Sequence, residues 1–159
     1  MNTKYQPEIV THEAMTLFGL HVYATYPEAS FKCPALWEKF RSGLEDLNQF
    51  TTHGSFGLSV MQADVTGGFT YWAALQFVPG ASIPTGMEYF ELPGGYYVKL
   101  LVDTLPELSA AYAFLYNDAW LSENSPYKIN LDAPCFEFYP KDYHQFGKFY
   151  IHVPVNKVT

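Results

Sequence analysis

Short apolar runs recur along the whole chain, each closed by Gly, Pro or a polar cluster, and their period switches between two and about 3.6. Met15 to Tyr26 (MTLFGLHVYATY) has the Leu, Phe, Val and Tyr content of a strand. Pro34 suits the first turn of a helix. Leu36, Trp37, Phe40, Leu44 and Leu47 then follow helical spacing, so the pattern predicts an amphipathic helix from about Pro34 to Gln49. Phe56 to Ala63 and Phe69 to Val78 read as a hairpin around Gly67-Gly68. Pro79 to Gly86 (PGASIPTG) has the composition of a linker, and after it the order begins again. Met87 to Val102 is strand-like around Pro93-Gly94-Gly95, which reads as a turn or bulge. Leu105 to Leu121 predicts a helix with Leu108, Ala111, Tyr112, Leu115 and Tyr116 near one face. Ala133 to Tyr139 and Lys148 to Val155 predict a second pair of strands.

The chain thus reads as strand–helix–strand–strand stated twice, with repeat one at about 8–79 and repeat two at about 87–155. Each half is too small to bury its sheet alone. The expectation is one α+β domain over 1–159, a duplicated βαββ unit with pseudo-twofold symmetry, a mainly antiparallel sheet and a cleft between the repeats. Laid on itself, the repeat places Phe56-Gly57-Leu58 on Phe136-Glu137-Phe138, and Tyr71-Trp72-Ala73 on Phe149-Tyr150-Ile151. Side chains alternate along a strand. Phe136, Phe138, Phe149, Ile151 and Val153 are therefore expected on the helix-covered face, leaving Glu137, Tyr150 and His152 on the other. The second face is expected to collect Trp72, Glu137 and Tyr150, with Gly57 standing empty where the other half has its carboxylate.

A chain of 159 residues with 48% apolar content can build a core without disulfides or metal. Aromatics are 18% and charged residues only 16%, against about 25% charged in an average domain. The net charge of −7 argues against direct binding of nucleic acid or of an anionic membrane surface, and leaves room for a cationic partner. No stretch approaches the ~18–20 apolar residues of a membrane span. Met1 to Glu8 lacks the basic cluster and apolar run of a secretory signal. Cys33 and Cys135, far apart in sequence, read as two thiols of a cytoplasmic protein. The histidines form no HxxxH and the cysteines no CxxC, so neither metal nor cofactor is expected. No GxSxG marks a nucleophile, and no GK[ST] follows Gly94-Gly95. Asp142, Tyr143 and His144 read as polar loop residues. Glu137 is either a solvated strand residue or, if its face is sheltered among Cys135, Phe136, Phe138 and Tyr139, a desolvated carboxylate that wants a positive partner. The rings are either core filling or the walls of a cation–π site.

Four segments carry a resemblance: Glu91-Leu92-Pro93-Gly94-Gly95-Tyr96, Trp120-Leu121-Ser122-Glu123-Asn124-Ser125, Pro134-Cys135-Phe136-Glu137-Phe138-Tyr139 and Tyr150-Ile151-His152-Val153-Pro154-Val155. Their order and spacing resemble the gyrase-inhibitor-like, or effector-binding, domain family, which includes the ligand-binding halves of AraC-type and MerR-type multidrug regulators. The resemblance implies a duplicated βαββ fold whose central cleft binds a lipophilic cationic small molecule. It implies Glu137 as the carboxylate facing the cation and Tyr150 as the last-strand aromatic. Trp37 on the first helix, Tyr112 or Tyr116 on the second, and Phe56, Tyr71 and Trp72 on the first hairpin are the implied walls, with Trp120 either a wall or a structural anchor. A stand-alone sensor without a DNA-binding segment would act by sequestering its ligand, by regulating transcription with a partner, or by inhibiting gyrase, and its candidate partners are a second copy in a homodimer or a separate DNA-binding protein. Some members of the family resemble gyrase inhibitors, and others hydrolases that open strained electrophilic natural products. In the hydrolase case Glu137 would be a general base if its pKa were raised.

Overall fold

A computed structural model describes residues 5–44, 54–61, 67–80, 82–117, 120–121 and 124–158. Nine described strands form one sheet: β1 (Glu8–His12), β2 (Met15–Thr25), β3 (Ser55–Met61), β4 (Gly68–Gln76), β5 (Glu88–Leu92), β6 (Gly95–Val102), β7 (Tyr127–Ile129), β8 (Cys135–Tyr139) and β9 (Phe149–Lys157). The helices are α1 (Ala29–Gly43), α2 (Leu108–Tyr116, led by one 3-10 turn) and the short α3 (Tyr143–Phe146). All pairings are antiparallel, in the order β1-β6-β9-β8-β3-β4-β2-β5, with β7 beside β9. The class is α+β.

The order forces the sheet to curl. β1 and β2 stand six strand steps apart along the path, about 29 Å if the sheet were flat. Only Glu13 and Ala14 separate them, and three Cα steps span at most about 11 Å. Pro93 and Gly94 make the same short passage from β5 to β6. The rungs from Glu8↔Lys99 to His12↔Gly95 continue in step through Met15↔Leu92 to Gly19↔Glu88, so the two bent strands run as one ribbon that brings the ends of the path together. Gly94 sits where this ribbon bends. A Cβ there would lie 2.6 Å from the Ala14 nitrogen, so a side chain would push the two passages apart. The Pro93-Gly94-Gly95 interruption is therefore the bend of a long strand.

The curl gives the sheet two packed faces, with one core cluster on the inner face and one under each helix. The inner face packs Leu17, Leu58, Trp72, Leu92, Tyr97 and Phe136 together without any helix. The Phe136 ring lies 5.4 Å from that of Tyr97 and stacks on His152 at 4.3 Å. The outer face carries both helices. Leu36 and Phe40 of α1 cluster with Phe18, Ala73 and Leu75; Ala111 and Leu115 of α2 cluster with Val98, Leu100, Phe149 and Ile151. β3 and β8 run between the helices at the centre of the path.

Register overturns one sequence expectation. Glu137 pairs with Ile151 and Gly57, and Phe136 with His152 and Leu58. Glu137 thus shares the helix-covered face with Ile151, while Phe136 and Phe138 share the inner face with Trp72, Tyr150 and His152. The alternation was right strand by strand, but its phase in β8 is the reverse of that expected, because the face without helices is itself a packed aromatic core. Helix α1 also begins at Ala29 rather than Pro34. The Glu28 carboxylate accepts from the Thr25 N–H and hydroxyl, closing the preceding turn, and the helix then runs through Pro34 without its N–H. The predicted stretch 45–49 lies outside the described residues, as do 62–63 of the first hairpin and 118–119 of the second helix. Tyr143 lies in a short helix rather than a loop.

Candidate functional site

Glu137 lies at the middle of β8, in the trough between α1 and α2. It is 2% exposed. Strand alternation puts Tyr139 two residues on along the same face, and its hydroxyl donates to Oε1 at 3.2 Å. From β4, Tyr71 donates to the same oxygen at 3.1 Å, and its own oxygen accepts from Trp37 Nε1–H of α1 at 3.0 Å. From α2, Tyr112 donates to Oε2 at 2.5 Å. A chain of hydrogen bonds therefore runs from one helix to the other, Trp37–Tyr71–Glu137–Tyr112, with the carboxyl group as its junction.

Gly57 makes this junction possible. It stands directly opposite Glu137 in the β3–β8 pair. A Cβ at this position would come within 2.3 Å of the Tyr71 hydroxyl and 2.7 Å of Glu137 Oε1. The empty position predicted from the repeat is thus filled, by the hydroxyl of a tyrosine reaching across from β4.

Burial pushes the Glu137 carboxyl up to about 7, and the donated bonds from Tyr112, Tyr71 and Tyr139 oppose that rise. Among the described residues no lysine or arginine is one of the groups that set its charge. Tyr71, Tyr112 and Tyr139 are held well above the usual phenol range by burial and by the neighbouring carboxyl, so they remain neutral donors. Cys33 of α1 and Cys135 of β8 are free thiols, both pushed by burial up to about 11 and both feeling Glu137. Tyr116, 39% exposed, stacks beside Tyr112 with ring centroids 6.2 Å apart and marks the outer end of the trough.

Of the residues singled out from sequence, Glu137, Tyr71, Tyr112, Tyr116 and Trp37 come together on the helix side. Trp72 and Phe56 do not: both are buried in the inner-face core. Tyr150 also lies on the inner-face side, with Lys99 Nζ 4.3 Å from its ring centre, beside an open hollow lined by Leu101, Phe146 and Lys148. Trp120 anchors the end of α2, its Nε1–H donating to the Leu115 carbonyl. Tyr139 was missed, although the i, i+2 spacing from Glu137 was there to find it. Among the described residues no cluster of three His, Cys, Asp or Glu is placed to hold a metal, and no helix is long and apolar enough to cross a membrane.

Several proteins of known structure share this fold. An integron cassette protein from the mobile metagenome of Vibrio cholerae superposes with a TM-score of 0.67 at 20% identity, covering 94% of this chain and 95% of that one. SAV2435 bound to tetraphenylphosphonium superposes at 0.69 and 15% identity, covering 95% and 94%. The C-terminal domain of EcmrR superposes at 0.66 and 15% identity, covering 98% and 100%. No curated protein matches the chain. The family model for integron-associated effector binding proteins, Cass2, matches residues 8–155. The chain therefore belongs to the integron-associated effector binding protein family.

Proposed function

We propose that this chain is a cytoplasmic binding module for lipophilic or aromatic cations, with Glu137 as the charge partner. Trp37, Tyr71, Tyr112 and Tyr116 form the ring wall between the two helices. The observation that carries this reading is a carboxyl group buried at 2% exposure whose hydrogen-bond partners among the described residues are phenols and not bases. A buried carboxylate without a counter-ion is costly, and an incoming cation supplies what is missing. Each desolvated ring facing that cation adds about 0.5–2 kcal/mol. Tetraphenylphosphonium in SAV2435, a protein of similar shape, is a cation of this chemistry. Trp72, Phe56 and Tyr150 have no part in this wall, and neither a second copy nor a DNA-binding partner is required for it.

In the structure the site is closed by Tyr112, so occupancy requires this ring to part from Oε2. The test compares dissociation constants for tetraphenylphosphonium and for a neutral analogue of similar shape, on wild type and on Glu137→Gln. The substitution should weaken the cation at least about tenfold, equivalent to 1.4 kcal/mol, and leave the neutral analogue little changed. Equal weakening of both would overturn the reading.

A further inference from the structure

We propose that Glu137 holds a proton in the closed protein and gives it to solvent when a cation enters, so that binding exchanges one cation for one proton. The exchange rests on the cation-binding reading above. The closed, protonated state rests on the burial of the carboxyl group among tyrosine hydroxyls, with no base bonded to it among the described residues.

The two carboxyl oxygens have unlike surroundings. Oε1 receives Tyr71 and Tyr139, two donors for the two lone pairs of a carbonyl oxygen. Trp37 Nε1 can only donate, and it occupies one lone pair of the Tyr71 oxygen, whose own hydroxyl donates to Oε1. Among the described residues Oε2 meets Tyr112 alone, whose hydroxyl donates to the carboxylate form. When Oε2 takes a proton this bond reverses: the acid donates to the Tyr112 oxygen, and the Tyr112 hydroxyl is free to turn to the Cys135 thiol on the same face. The neutral acid is then satisfied by the tyrosines that surround it and carries no charge of its own.

The other titratable groups facing Glu137 do not compete for this proton. They are Tyr71 from β4, Tyr139 and Cys135 from β8, Tyr112 and Tyr116 from α2, and Cys33 from α1. All are raised by burial and stay neutral around pH 7. Glu137, pushed up to about 7, is the member that changes state near neutrality. A cation seated among the rings favours the carboxylate and drives the proton off. The balance is Glu137–COOH plus the cation giving the Glu137 carboxylate–cation pair plus one proton released to water.

Two measurements separate the parts. In ligand-free protein, an infrared pH titration follows the carbonyl stretch of protonated carboxyl groups, with Glu137→Gln identifying the band. Wild type should lose one band with a midpoint near 7. Tyr112→Phe, which removes a donor to the charged form, should move that midpoint upward. A midpoint in the ordinary carboxylate range would overturn the protonated closed state. Calorimetry of tetraphenylphosphonium binding, in buffers of different ionisation heat, then counts protons. Nearly one should be released per cation at pH 5.5 and almost none at pH 8.5, with affinity falling about tenfold per pH unit well below 7. Binding without proton release would overturn the exchange and leave the binding reading standing. No binding, with the band titrating near 7, would overturn the binding reading and the exchange that rests on it, and leave the proton assignment in place.

Discussion

At corresponding places in the two halves, β8 carries Glu137 and β3 carries Gly57, and register sets them face to face at the centre of the sheet. One half brings the charge; the other brings the absence of a side chain. On β4, Tyr71 leans into the gap that Gly57 leaves, whereas its counterpart on β9, Phe149, packs into the apolar core under α2. The comparison shows how a repeated scaffold makes a single site. Two carboxylates facing each other here would repel, and two glycines would leave a void. One of each gives a buried acid a hydroxyl donor from the opposite half.

The harshest way to break this asymmetry is to fill the gap. Gly57→Leu places a Cβ within 2.3 Å of the Tyr71 hydroxyl, and should destabilise the fold by about 3 kcal/mol in urea denaturation and abolish cation binding. Unchanged stability would show that the gap is not what seats Tyr71.

Removing the charge tests the other side. The Glu137 carboxyl rises from the usual 4.5 to about 7 on folding. Between those values the folded state holds a proton that the unfolded chain has lost, so stability contributed by Glu137 is present below 4.5 and is lost as pH rises through 7. Glu137→Gln should therefore be more stable than wild type at pH 8, by about 1–3 kcal/mol, with the advantage vanishing near pH 5. Melting curves across pH read this directly, and a constant difference at all pH values would contradict the assigned burial cost.

Tyr71→Phe is milder. It leaves the Trp37 N–H without its acceptor and Oε1 with one donor fewer, at about 1–2 kcal/mol in denaturant titrations. The smallest effect sharpens the contrast between the two faces. Tyr150→Ala and Trp72→Phe lie on the inner-face side, and isothermal titration of either should return the wild-type affinity for tetraphenylphosphonium. A clear loss from either would move the site to that face.

Much of this was legible in the sequence. Apolar period and turn residues outlined the βαββ order, and laying one half on the other matched Gly57 with Glu137, a pair that register brings together, and Ala73 with Ile151, which flank that pair on either side in the same row. The face of Glu137 was not legible. Alternation tells which residues of a strand share a side but not which side is covered, and Cys135-Phe136-Glu137-Phe138-Tyr139 offers aromatic rings on both. The deciding fact is the curl imposed by the two short passages at Glu13-Ala14 and Pro93-Gly94. It buries Phe136 without a helix and leaves the trough between the helices to the glutamate. The donors from Tyr71 and Tyr112 lie 66 and 25 residues away in sequence, a separation that no local pattern reports.

The most direct test is a crystal structure of the chain with tetraphenylphosphonium. The account predicts the cation between α1 and α2, against Glu137, with the Tyr112 ring swung away from Oε2 and Trp37 and Tyr71 along its flank. A phosphonium seated instead on the inner-face side near Trp72 or Tyr150, with the Glu137–Tyr112 bond intact, would contradict it.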